Sequence, residues 1–252
     1  NPKILRDPGP PDAPARTGPR SRLPDPGAPA RVVPPFDSAR KTRFLAPRTL
    51  QEAAMLELDH LAVSAADLAV GTARIEDLFG VRLAPGGKHP DMGTHNRLLS
   101  LGPGLYLEVI AIDAAAPPPD RPRWFDLDNF DGPPRLTTWI VRCDRLEAAL
   151  ADAPEGTGLP MQLQRGDFRW RMAVPELGQL PLGGLAPALI EWQGDAHPAD
   201  RLPDAGVRLT RLVVSHPRIR EVPHLDDPRV VLSEGPPSLR AAFSTPKGEV
   251  LL

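Results

Sequence analysis

The sequence has a single cysteine, Cys143, among its 252 residues. One thiol forms no internal disulfide and no cysteine-built zinc or iron–sulfur site, so the chain fits a reducing, cytoplasmic compartment. Long apolar runs are also missing, since none approaches the roughly 18 residues of a membrane span. The N-terminus lacks the apolar stretch of a signal peptide. These absences exclude a disulfide framework and argue against a membrane partner.

Proline is plentiful but unevenly placed. Of the 34 prolines, 12 lie in residues 1–54, where they interrupt helices and strand pairing. That segment has 10 Lys/Arg against 5 Asp/Glu, a net charge of +5, whereas residues 55–252 have 20 against 27, a net charge of −7. We therefore predict a disordered Pro/Arg-rich arm, 1–54, and an acidic globular domain, 55–252. The acidic balance argues against a nucleic-acid partner.

Met55 stands immediately before the first predicted strand, and the sequence itself begins with Asn1. One hypothesis is that Met55 is the natural start and that residues 1–54 are upstream sequence read as protein. The other is that the arm binds an anionic partner. Mass spectrometry of natively expressed protein distinguishes the two.

The globular part repeats one order of elements, β-α-β-β-β, as judged from apolar alternation and helical spacing. The first set is Leu56–Ser64, Ala65–Leu78, Val81–Leu83, Thr94–Leu101 and Leu105–Ile112. After a polar connection the second set is Leu136–Arg142, Leu146–Ala153, Met161–Arg165, Arg169–Val174 and Ala188–Trp192. Further strands are predicted at Leu209–Ser215, Val230–Leu232, Leu239–Ser244 and Val250–Leu252. A repeat of this kind indicates paired modules.

Aligning the two sets places Leu58–Val63 on Leu136–Val141, and Tyr106–Ile110 on Leu189–Trp192. Each fourth strand then carries a glutamate in apolar surroundings. A buried, ionised carboxylate is costly unless it is paired. We therefore expect each glutamate to have a site role or an ion-pair partner.

Several stretches resemble the vicinal oxygen chelate superfamily, in particular its glyoxalase-like branch of bacterial proteins. The stretches are Leu58–Val63, Gly86–Pro90, Gly93–Asn96, Tyr106–Glu108, Pro187–Trp192, His197–Pro198 and Thr245–Gly248. The resemblance implies an α+β fold of paired βαβββ modules around a cleft. It divides the domain into module one, 55–113; a linker, 114–134; module two, 135–200; and a C-terminal β extension, 201–252.

In metal-dependent members, the first and fourth strands of each module supply the ligands. The resemblance therefore implies His60, Glu108 and Glu191 as ligands of Fe²⁺, Mn²⁺, Ni²⁺ or Zn²⁺, with Glu108 or Glu191 as catalytic base. The remaining first-strand position holds Thr138 or Trp139, which are poor ligands, so a metal-free site is the alternative. Structural ion pairing remains the competing interpretation for both glutamates, with Arg169 or Arg171 as partner of Glu191.

The glycine-containing segment Gly86–Asn96 is predicted to be a loop that clamps a small-molecule substrate. Its polar candidates are His89, His95, Asn96 and the adjoining Arg97, and strand alternation allows only one of the pairs His95/Arg97 and Asn96/Leu98 to face the cleft. The alternative is a solvated loop that caps the sheet. Trp192 and Trp139 are predicted to line an apolar pocket or, alternatively, to pack in the core.

The resemblance implies two functions. The first is a lyase, isomerase or dioxygenase acting on a small oxygenated or carbonyl compound. The second is a non-catalytic binder, like the drug-sequestering bleomycin-resistance members. A homodimer that pairs modules between subunits is an alternative to a cleft completed within one chain.

Overall fold

A computed structural model describes residues 54–252. The predicted arm therefore lies outside the described residues, apart from residue 54. Twelve strands and two α-helices form this part of the chain. The strands are β1 Leu56–Ser64, β2 Ala84–His89, β3 Thr94–Ser100, β4 Tyr106–Ile112, β5 Arg135–Cys143, β6 Leu159–Arg165, β7 Phe168–Val174, β8 Ala188–Gln193, β9 Arg208–Ser215, β10 Val230–Ser233, β11 Ser238–Thr245 and β12 Gly248–Leu251; the helices are α1 Leu68–Phe79 and α2 Leu146–Asp152.

The first eight strands form one sheet in the order β2-β3-β4-β1-β5-β8-β7-β6. Within each module the first strand runs parallel to the fourth, and β1 pairs with β5 to join the modules. The sheet curls until its edge strands, β2 and β6, approach each other. The α+β fold of paired βαβββ modules is thereby confirmed.

The outer face of this sheet is covered by α1, α2 and a second sheet of order β10-β9-β11-β12. Asp67 caps the start of α1 by accepting from the backbone N–H of Val70, and Gly80 ends the helix at a φ of 72°. Phe79 of α1 contacts Phe243 of β11 at 5.0 Å between ring centroids. The predicted C-terminal β extension is therefore confirmed as the layer that seals this face.

The inner face carries a separate apolar cluster closed by the connection between the modules. A short 3-10 segment, Trp124–Asn129, lies across it and buries Trp124, Phe125 and Leu127. Phe125 and Asp126 adopt φ values of 58° and 55°, an uncommon conformation for residues other than glycine. The connection thus forms one wall of the concave side.

The second strand was predicted one segment too early. The structure forms β2 over Ala84–His89, where a loop was expected, and not over Val81–Leu83. The pairing of β2 with β3 shifts between Pro85 and Lys88, because Gly86 and Gly87 form an irregularity there. Glycine and proline interrupt the apolar alternation by which a strand is recognised in a sequence, so this strand was not predicted. No helix within residues 54–252 is long and apolar enough to cross a membrane.

Candidate functional site

Asp59 occupies a β-bulge at the centre of the sheet. Where β1 pairs with β5, Leu58 lies opposite Val141 and His60 lies opposite Ile140, so that Asp59 is an extra residue. Consecutive side chains of a regular strand point to opposite faces, and a bulge breaks this alternation. The bulge lets the carboxylate of Asp59 meet the imidazole of its own neighbour.

Three donors surround the fully buried Asp59 carboxylate. His60 Nδ1 donates to Oδ1 at 2.5 Å, while Trp192 Nε1 and His197 Nε2 donate to Oδ2 at 2.9 and 3.0 Å. Burial alone would raise the pKa of Asp59, but the hydrogen bonds from His197 and His60 outweigh it and lower the pKa. Asp59 is therefore a fixed negative charge that holds module one to the end of module two.

His60 is a buried imidazole between two carboxylates. Its Nδ1 binds Asp59, and its Nε2 lies 3.6 Å from Oε1 of Glu108. The ring stacks on Tyr106 with centroids 4.4 Å apart. Burial opposes protonation, but Asp59 and Glu108 prevail and raise the pKa of His60 to about 9. At neutral pH His60 is an imidazolium whose Nε2–H points toward Glu108.

Glu108 lies on β4 and is 5 % exposed. Asn96 Nδ2 donates to its Oε2 at 2.7 Å. Burial would raise the pKa of Glu108, yet the adjacent His60 and Asn96 lower it. Glu108 is therefore ionised at neutral pH and is ready to accept a proton or a hydrogen bond.

Arg165 of β6 reaches across the seam to β2 and β3. Its Nη1 donates to His89 Nε2 at 3.2 Å and to Asn96 Oδ1 at 3.1 Å. Since Nε2 of His89 accepts, its Nδ1–H donates to Thr94 Oγ1 at 3.0 Å. Burial, opposed in part by Glu108 and assisted by Arg165, lowers the pKa of His89 to about 4. His89 is thus a neutral acceptor that orients the guanidinium.

Gly87 makes room for the Arg165 side chain. A Cβ at Gly87 would lie 2.5 Å from Arg165 Cδ, and the Gly87 N–H donates to Asn96 Oδ1 at 2.9 Å. We expect Gly87→Ala to displace Arg165 and destabilise the fold by about 1–3 kcal/mol. Urea unfolding measures this loss. Gly87→Ala in an Arg165→Ala background is the control, because that background removes the side chain that the new Cβ would meet. An equal loss of stability in the two backgrounds contradicts the close contact.

These residues line a narrow cleft on the concave face of the sheet. Its floor is charged and its walls are aromatic and apolar. The lining residues are His60, His89, Asn96, Tyr106, Glu108, Trp124, Phe125, Arg165, Trp170, Met172, Ile190 and Trp192. The cleft thus combines aromatic and apolar walls with convergent polar groups, as small-molecule sites do.

Five of the residues singled out in the sequence come together here: His60, His89, Asn96, Glu108 and Trp192. Trp192 contributes both a wall and the indole N–H that binds Asp59. Trp139, the other tryptophan considered for the pocket, instead lies in the outer core and donates to the carbonyl of Leu185 at 2.9 Å.

Glu191 does not line the cleft, where it was expected to act as a metal ligand or base. Its carboxylate accepts from Arg171 Nη2 at 2.6 Å and from the N–H of Leu146, the first residue of α2, at 2.7 Å. It is therefore a structural ion pair and helix cap, with Arg171 as one of the two partners suggested by the sequence.

Glu191 was placed in the cleft because the sequence alignment paired the fourth strands of the two modules in the wrong register. Ala62 pairs with Glu108, and its counterpart Ile140 pairs with Ala188, so Ala188 and not Glu191 is the counterpart of Glu108. The error is three residues. Any odd shift along a strand moves a side chain to the opposite face.

His95 and Arg97 also lie away from the cleft. They face the outer side of β3, in a groove beside α1 that includes Thr72 and Glu76. Alternation along β3 sends Asn96 inward and its two neighbours outward. Their expected role in substrate binding within the cleft is therefore corrected.

The residues present do not form a metal site of the expected kind. Within residues 54–252, no group of three or more His, Cys, Asp or Glu side chains is arranged so that it could hold a metal ion. Among the described residues at the floor of the cleft, the groups available to a metal are His60 Nε2 and the Glu108 carboxylate, since His60 Nδ1 is taken by Asp59. Catalytic metal sites generally use three protein ligands.

Sequence reasoning missed several residues of the site, above all Asp59, which holds His60, and Arg165, which lines the cleft. Asp59 was read only as part of an opening motif, because nothing in the letters marks a bulge. Arg165 lies at a strand end in the other module, so its proximity to His89 depends on how far the sheet curls. Trp124 and Trp170 are visible in the sequence as aromatic residues, but nothing there indicates that they line the cleft.

Paired βαβββ modules around a cleft with polar residues on the first and fourth strands define the vicinal oxygen chelate superfamily. The glyoxalase-like domain model matches residues 58–225, and the chain belongs to this family. No curated protein sequence matches it significantly.

Solved structures resemble the chain at low sequence identity. A hypothetical protein from Staphylococcus aureus is 13% identical, with 73% of this chain and 88% of that chain covered and a TM-score of 0.48. Methylmalonyl-CoA epimerase from Mycobacterium tuberculosis is 19% identical, with 55% and 88% covered and a TM-score of 0.37. A Streptomyces coelicolor methylmalonyl-CoA epimerase variant in complex with 2-nitronate-propionyl-CoA is 13% identical, with 57% and 100% covered and a TM-score of 0.36.

Proposed function

We propose that the protein is a glyoxalase-like enzyme of the isomerase or lyase type, which moves a proton at a carbon next to a carbonyl group. The observation that supports it is the pairing, at the floor of the cleft, of an ionised carboxylate with an imidazolium 3.6 Å away. A base and a hydrogen-bond donor at this spacing suit adjacent atoms of one small molecule.

In this proposal Glu108 accepts the proton from the carbon. The carbon's electron pair then moves toward the carbonyl oxygen, where His60 Nε2–H stabilises the developing negative charge. Asp59 holds the imidazole by Nδ1, so Nε2 faces the substrate, and Asn96 orients Glu108. No step is assigned to a metal, since two protein donors do not make the expected site.

Hydrogen–deuterium exchange tests the proposal without knowledge of the product. Small 2-oxo and 2-hydroxy carbonyl compounds are incubated with protein in D₂O, and loss of the C–H signal is followed by proton NMR. We expect exchange by the wild type and a loss of about 100-fold or more in Glu108→Gln. Glu191→Gln, outside the cleft, is the control and should retain exchange.

The second candidate is a binding protein that sequesters an apolar compound. The aromatic walls formed by Trp124, Trp170 and Trp192 favour it. Binding of small molecules with no exchange in any of the compounds would support this alternative. Exchange of equal rate in wild type and Glu108→Gln would contradict the role assigned to Glu108.

A further inference from the structure

Arg165 has no carboxylate partner among the residues that the structure describes. Although partly buried, its guanidinium lies in no ion pair within residues 54–252, unlike Arg171, which meets both Glu147 and Glu191. Its protein hydrogen bonds all come from Nη1, and the acceptors are neutral groups, His89 Nε2 and Asn96 Oδ1. The Nε and Nη2 groups remain without a protein acceptor in the described chain, and neither is sealed from solvent.

A second unused donor lies in the same cleft. Trp124 is 4 % exposed, and its indole Nε1 is buried with no hydrogen-bond partner in the described chain. An unpaired buried N–H is costly, and an acceptor atom of a ligand that reached it would remove that cost. The Trp124 ring meets His89 edge-on at 5.2 Å between centroids, which places it beside the acceptor of Arg165.

The carboxylates of Glu108, which lines the cleft, and of Asp59, which binds His60, are already paired. Asp59 binds three donors, and Glu108 faces His60 and Asn96. The side-chain amide of Asn96 lies between Glu108 and Arg165. Its Nδ2 donates to Glu108 Oε2, and its Oδ1 accepts from Arg165 Nη1. The free positive charge therefore lies on one side of the cavity and the base of the proposed reaction on the other.

We propose that the cleft takes a small molecule with a carboxylate group and a flat apolar body, with the carboxylate bound by Arg165. The guanidinium fork suits a planar carboxylate better than it suits a neutral oxygen. Trp170 and Trp192 contact each other, with ring centroids 5.5 Å apart, and together form an aromatic wall for the apolar body. The proposal rests on the proposed function only in taking this cleft as the small-molecule site. It does not depend on the proposed reaction.

Titration calorimetry with matched acids and amides tests it, using benzoate against benzamide and isobutyrate against isobutyramide. On the wild type we expect each acid to bind about tenfold or more tightly than its amide. Arg165→Gln should abolish that preference. Arg169→Gln is the control, since Arg169 is an exposed arginine on the neighbouring strand, and should retain it.

The wild-type comparison does not depend on whether a variant folds. Equal binding of acid and amide, retention of the preference in Arg165→Gln, or failure of both acids to bind would overturn the inference. Glu108→Gln separates it from the proposed reaction. That variant should still bind benzoate at least as tightly as the wild type, even though it has lost exchange.

Discussion

Asp59→Ala is expected to lower the free energy of unfolding by about 3–5 kcal/mol. Asp59 is fully buried and accepts from His60, Trp192 and His197. Removing it leaves a buried imidazolium and an indole N–H without their acceptor. Urea unfolding measures the effect as a lower midpoint with an unchanged slope.

Asp67→Ala is the matched control for this change. Asp67 is an exposed aspartate that accepts one backbone N–H at the start of α1, and losing such a cap costs about 1 kcal/mol. If Asp59→Ala lowers the free energy of unfolding by no more than Asp67→Ala does, then Asp59 does not make the contribution to stability that we assign to it.

The stability of the protein is expected to fall as the pH rises from about 6.5 to about 9. Asp59 and Glu108 raise the pKa of His60 from 6.5 to about 9 in the folded state. A group with a raised folded pKa stabilises fully below its unfolded pKa and loses that contribution as the pH passes its folded pKa. The difference corresponds to about 3 kcal/mol.

Unfolding in urea between pH 6 and pH 9.5 measures this loss, and ¹⁵N NMR of the imidazole gives the pKa of His60 directly. His60→Gln should flatten the profile in this range. His216→Gln, which removes a histidine outside the cleft, should retain the alkaline loss. An unchanged alkaline loss in His60→Gln would assign it to another group. Asp59 acts in the opposite direction, since its pKa is lowered and its contribution is lost as the pH falls.

The repeat was the part of the fold that the sequence could reveal. Apolar alternation is strong in β1 and β4, and Asp67 and Gly80 mark the ends of α1 within a few residues. The pattern failed at β2, where Pro85, Gly86 and Gly87 replace apolar residues. There the strand exists because β3 pairs with it, a contact that local composition does not encode.

The candidate site was predictable as far as one module defines it. His60, Asn96 and Glu108 lie on neighbouring strands of module one, and the motif around them pointed to the cleft. The bulge at Asp59 and the reach of Arg165 depend on pairing between modules. Glu191 shows the reverse error, because a similar local sequence in module two is displaced by an odd number of residues.

The central claim is that the cleft between the two modules is where a small molecule binds, and the four tryptophans test it most directly. Trp124, Trp170 and Trp192 line the cleft, whereas Trp139 lies in the outer core. In ¹H–¹⁵N NMR during titration with benzoate, the account predicts that the indole signals of the first three shift and that Trp139 stays in place. Shifts confined to Trp139, or no shift in the three cleft indoles while benzoate binds, would contradict it.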